Sequence, residues 1–105
     1  MKEQQQVLQL LGLAVGARKL ITGEELVVKE IRKNAKLVII SSDASENTMK
    51  KIQDKCKFYN VEIHVFGTRF ELGHATGKET RVVLAITDDG FAKKLSGLLN
   101  EINRG

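Results

Sequence analysis

A chain of 105 residues, 42% hydrophobic and 29% charged, has material for one globular domain with a modest core. No run nears the roughly 18 apolar residues of a membrane span. A single cysteine excludes an internal disulfide, and with only two histidines it falls short of the about four ligands of a structural zinc site.

Seventeen basic against thirteen acidic residues give a net charge of +4 and a pI near 9.3, a balance that points toward nucleic acid. The excess is spread over residues 1–23 and 44–60, each +2, so a basic face has to be assembled by folding. The polar start Met1-Lys2-Glu3-Gln4-Gln5-Gln6 is unlike a signal peptide, which predicts a soluble, cytoplasmic protein.

In chain order, Val7, Leu8, Leu10, Leu11 and Ala14 recur with helical spacing, and Gly16 ends that helix. Lys19-Leu20-Ile21 can form a short strand. Thr22 then reads as a helix N-cap, with Glu25 completing a capping box and Leu26, Val27 and Ile31 as the apolar side. Lys36–Ser41 is a continuous apolar run, as in a strand buried on both faces. Ser45 caps the next helix, whose buried side is Ile52, Cys56 and Tyr59.

Val61–Val65 alternates with period two, as in a half-exposed strand. Thr68 and Glu71 make a second capping box, opening a short helix to about Ala75. Gly77 leads a loop into the buried strand Val82–Ile86. A last helix from near Asp88 carries Phe91, Leu95, Leu98, Leu99 and Ile102. The pattern is helix–strand four times and a closing helix. It predicts an α/β fold: a three-layer α-β-α sandwich with a four-stranded mixed sheet, the runs at 37–40 and 82–86 central and helices on both faces.

No catalytic constellation stands out. Cys56 suits a small core position, and His64 an outward position on an edge strand. Asp88 and Asp89 suit a helix start, where negative charge complements the dipole. Neither a Gly-x-x-x-x-Gly-Lys-Ser/Thr loop nor a Gly-x-Gly-x-x-Gly is present. Lys50, Lys51, Lys55 and Lys57 could form a basic stripe, but such a run is more often a solvated helix face, which is the favoured reading. The five aromatic residues show no interleaved pattern for stacking bases.

Three segments carry a family resemblance: Thr22–Lys33, Ala35–Ala44 and Leu72-Gly73-His74-Ala75-Thr76-Gly77-Lys78-Glu79. In order and spacing, over nearly the whole chain, they resemble the ribosomal kink-turn-binding family of L-seven-Ae and L-thirty-e. The resemblance implies a single RNA-binding domain over residues 1–105. It implies a start of the second helix that reads sheared G·A pairs, and a loop that packs on bulged nucleotides. The residues it matches are Gly23, Lys29, Gly77, Lys78, Glu79, Thr80 and Arg81, and the RNA-binding reading adds Glu24 and Glu25 at the helix start and the phosphate-neutralising cations Arg32 and Lys36. The chain departs from the family where Glu25 replaces Asn or Lys, Leu26 replaces Glu or Gln, and Arg81 takes a position where proline is common. Guanine presents only the acceptors N7 and O6 in the major groove, and an ionised Glu25 has no proton to give them.

The expected partner is therefore structured RNA, a kink-turn in ribosomal or other non-coding RNA, bound by a monomer. No enzyme activity, metal, cofactor, membrane or small-molecule substrate is expected. A protein-interaction module on the same fold, with a decayed RNA site, is the alternative.

Overall fold

A computed structural model describes residues 2–104. The helices are α1 (Lys2–Gly16), α2 (Glu24–Ile31), α3 (Glu46–Phe58), α4 (Arg69–Ala75) and α5 (Asp89–Arg104), and the strands are β1 (Leu20–Thr22), β2 (Leu37–Ile40), β3 (Glu62–Val65) and β4 (Val83–Ile86). The sheet order is β1-β4-β2-β3. Antiparallel pairing joins β4 to β1 and to β2, while β2 and β3 run parallel. The expected mixed sheet and its two central strands are therefore present.

Alternation along the central strands divides the core into two layers. Leu37, Ile39, Leu84 and Ile86 pack with Val7 and Leu11 of α1, Leu72 of α4, and Leu95 and Leu99 of α5. Val38, Ile40, Val83 and Ala85 pack with Val27 and Ile31 of α2 and with Ile52 and Cys56 of α3. All eight strand residues are at most 1% exposed, which explains why their sequence reads as unbroken apolar runs.

The structure corrects four expectations. Thr22 does not cap α2. It is the last residue of β1, paired with Leu84, and the N-cap is Gly23 at φ 98° with no side-chain cap. The turn from strand to helix needs a positive φ, which glycine takes without strain, and this leaves the threonine outside the helix. Leu26 is 54% exposed, because this eight-residue helix buries only the stripe of Val27 and Ile31. Tyr59 is the C-cap of α3, 39% exposed, because the helix ends before it.

His64 lies on an edge strand but is buried, covered by the last turns of α5. Its Nε2 is 2.6 Å from Glu62 Oε2 and its Nδ1 3.3 Å from Asn103 Nδ2. An imidazole that donates from Nε2 and accepts at Nδ1 satisfies both contacts. The caps expected at Ser45 and Thr68 are formed, the latter as a reciprocal box with Glu71.

Candidate nucleic-acid interface

Four chain segments converge at the end of the sheet marked by Thr22, Ile40 and Val83. They are the β1–α2 junction, the start of α3, the start of α4, and the loop at 78–82. Gly23 N–H donates to Val83 O at 3.3 Å, and Ser41 N–H to Val82 O at 2.8 Å, tying the junction and the loop to the central strands. A cleft of about 380 Å³ opens between them, lined by Gly23, Glu24, Thr48, Arg69, Thr80 and Arg81 among others.

The loop is held from below by α4. The α4 helix ends at Ala75, and Gly77 with φ 77° reverses the chain. Lys78 N–H then returns to Gly73 O at 2.8 Å. At Gly73 the loop backbone passes so close that a Cβ would sit 2.6 Å from Thr80 Cα and 2.7 Å from Glu79 O. The first glycine of the Leu72–Gly77 motif is thus required by the approach of loop to helix, and Gly77 by its backbone angle.

Arg81 is a fastener as well as a cation. Its Nε donates to Thr22 Oγ1 at 3.0 Å, one of its Nη to Thr80 O at 2.8 Å, and its backbone N–H to Arg69 O at 3.0 Å. The last of these bonds is one that proline has no N–H to make. Arg69, in the first turn of α4 where the dipole disfavours a cation, is held by Asp43 through Oδ2 at 3.4 Å and through its carbonyl at 2.6 Å.

Glu24 is also engaged. Its Oε1 accepts from Thr48 Oγ1 at 2.9 Å and its Oε2 meets Lys51 Nζ at 3.0 Å. Hydrogen bonds from Lys51 and then Thr48 hold its carboxyl below the usual carboxylate range. The side chain therefore clamps α3 to α2, and what it leaves toward the cleft is the start of α2, whose first amides have no side-chain cap.

The sequence-derived residues are only partly brought together. Gly23, Glu24, Thr80 and Arg81 line the cleft, with Lys78 and Glu79 exposed in the adjoining loop. Glu25 and Lys29 are exposed one turn apart on α2, and Arg32 caps its far end, about 12 Å along the axis. Lys36 stands apart. It precedes the opposite end of β2, where its N–H bonds Ile86 O and its ammonium lies 3.9 Å from Asp89. Thr22, Thr48, Lys51 and Arg69 were not singled out as site residues, since nothing in the local sequence announces their contacts 24 to 59 residues away. The misplaced positive charge of Arg69 at a helix start is the one available signal.

Cys56 belongs to the layer under α2 and α3, and burial pushes its thiol up to about 11. His64 hydrogen-bonds toward α5 on the other side of the sheet. Among the described residues, no group of three His, Cys, Asp or Glu side chains is arranged to hold a metal. No described helix is long and apolar enough to cross a membrane.

Residues 5–96 match the model of the Ribosomal protein L7Ae/L30e/S12e/Gadd45 family. The chain is 55% identical over 92 residues to the RNA-binding protein YlxQ of Bacillus subtilis (strain 168), covering 87% of this chain and 92% of that one. It is 46% identical over 96 residues to the RNA-binding protein YlxQ of Enterococcus faecium, covering 90% and 92%. A solved protein of unknown function from Bacillus halodurans superposes with a TM-score of 0.87 at 49% identity, covering 90% of this chain and 96% of that one. The Giardia lamblia 15.5kD RNA binding protein shares the fold, with a TM-score of 0.82 at 19% identity over 99% of this chain and 90% of that one.

Proposed function

The chain belongs to the Ribosomal protein L7Ae/L30e/S12e/Gadd45 family, and from that premise we propose that it binds structured RNA, a kink-turn in ribosomal or other non-coding RNA, as a cytoplasmic monomer without catalytic activity. The observation that carries the proposal is the uncapped start of α2 at Gly23, set against the loop 78–81 across one cleft. Free amides at a helix start, with the positive end of the dipole behind them, suit phosphate oxygens and the acceptor edge of guanine. Lys29, Arg32 and Lys78 neutralise phosphates around this centre. Glu24 and Arg81 hold the two walls of the cleft, α2 with α3 and β1 with the loop, at a fixed spacing. Lys36 lies outside this footprint. The relatives named as RNA-binding proteins support the class of partner.

The exposed Leu26 beside Glu25 favours a second reading, in which the same helix start docks a protein. A gel-shift titration with a kink-turn RNA beside a straight duplex of equal length separates the two. Tighter binding of the kinked RNA supports the proposal. Equal, weak binding of both supports the second reading.

A further inference from the structure

Lys51, Lys55 and Phe58 fall at i, i+4 and i+7 on α3, so they form one stripe on its outer face. At the end of that stripe Phe58 is 80% exposed, and its ring meets Tyr59 edge-on with centroids 4.9 Å apart. The two rings, Lys51, Asp54 and Lys55 enclose a cleft of about 590 Å³. Single exposed apolar residues are ordinary on protein surfaces. A paired aromatic edge among lysines is a different feature.

Charge selects the occupant. The α3 helix carries four lysines against Glu46 and Asp54, a net charge of +2. Lys55 makes no ion pair among the described residues. The helix dipole accounts for Lys55 and Lys57 in the last turn, but not for the exposure of Phe58. Aromatic rings beside cations are how single-stranded nucleic acid is held: a base stacks on a ring and the ammonium meets the phosphate.

The stripe is also continuous with the interface described above. Thr48, in the first turn of α3, lines the cleft at α2, and Lys51 reaches Glu24. Phe58 lies ten residues beyond Thr48, about 15 Å along the helix at 1.5 Å per residue.

We propose that Phe58, Tyr59 and Lys55 form a second RNA subsite, which stacks an unpaired nucleotide flanking the structured element held at the start of α2. The subsite rests on the RNA-binding reading, and α3 is the track between the two contacts. Phe58 is exposed enough to be replaced without touching the core.

The test is a fluorescence-anisotropy titration of a kink-turn RNA, bare or extended at each strand end in turn by a short run of adenosines. One extension strengthens wild-type binding about tenfold, the scale of one stacked base. Phe58→Ala binds the bare RNA as wild type does and loses that gain, whereas Phe58→Tyr keeps it. A gain that survives Phe58→Ala, or no gain with any extension, overturns the subsite while bare-RNA affinity leaves the parent reading standing. If the bare RNA fails to bind, the parent reading fails instead, and oligoadenylate titrated against Phe58→Trp then decides the subsite alone. The chain has no tryptophan, so saturable quenching reports stacking at this position, and its absence refutes it.

Discussion

Glu25, in the first turn of α2, is exposed beside the uncapped helix start, so replacing it separates RNA affinity from fold stability. A capping box with Thr22 would make Glu25→Asn costly to the fold. The structure has no such box: Thr22 Oγ1 accepts from Arg81, and Glu25 is exposed with no ion pair among the described residues. Exposed positions of this kind change stability by within about 0.5 kcal/mol, so Glu25→Asn melts as wild type does. Removing an anion beside RNA phosphates strengthens kink-turn binding by roughly 1 kcal/mol, or about fivefold. Dissociation constants at fixed salt check this, and weaker binding by a folded Asn variant would make Glu25 a working acceptor. Gly73 gives the opposite case. Its added Cβ meets loop backbone at 2.6 Å rather than a flexible side chain, so Gly73→Ala costs about 1–3 kcal/mol. It also displaces residues 79–80, lowering RNA affinity, as urea denaturation and the same titration will show.

Among the elements, α5 is fastened where its helical pattern gives no hint of a partner. Glu62 on β3 accepts from Ser96 at 2.5 Å and contacts His64, which in turn meets Asn103. Burial acts to raise the Glu62 carboxyl, but the Ser96 and His64 hydrogen bonds outweigh it and hold the group below its ordinary value. A depressed carboxyl contributes stability above the unfolded value, near about 4.3, and loses it as pH falls through the lower folded value. Wild type therefore exceeds Glu62→Gln in stability most at neutral pH. The difference shrinks as pH drops below about 5, which thermal melts at several pH values will follow. Periodicity and capping residues make the described elements and the two-sided burial of β2 and β4 legible, because each depends on neighbours within one turn or one strand. The His64–Asn103 contact, the Thr22–Arg81 bond and the Glu24–Thr48 clamp join residues 24 to 59 apart, and no local pattern encodes such pairings. The ring pair of Phe58 and Tyr59, neighbours in sequence, is hidden for a different reason. Helical spacing assigned Tyr59 to the core, whereas the helix ends at Phe58 and turns the tyrosine outward.

For the whole molecule, the net charge of +4 is gathered without any long basic run. Lys29 is exposed on α2, Arg32 caps the far end of that helix and Lys78 is exposed in the loop beside the cleft, while Lys36 is turned away toward Asp89. Binding through about four to six cations gives a slope of log affinity against log salt of roughly −3.5 to −5.5, at about −0.9 per phosphate. Lys29→Ala or Arg32→Ala flattens that slope by about one unit. Lys36→Ala leaves it unchanged, and a flattened slope for that variant would place RNA on the opposite end of the sheet. The central claim is recognition of a kinked RNA at the start of α2, and one experiment meets it directly: parallel gel-shift titrations of wild-type protein with a kink-turn RNA and a straight duplex of equal length, at one salt concentration. Equal length equalises the phosphate term, so the account predicts at least about tenfold tighter binding of the kinked RNA. Equal affinity for the two would contradict it.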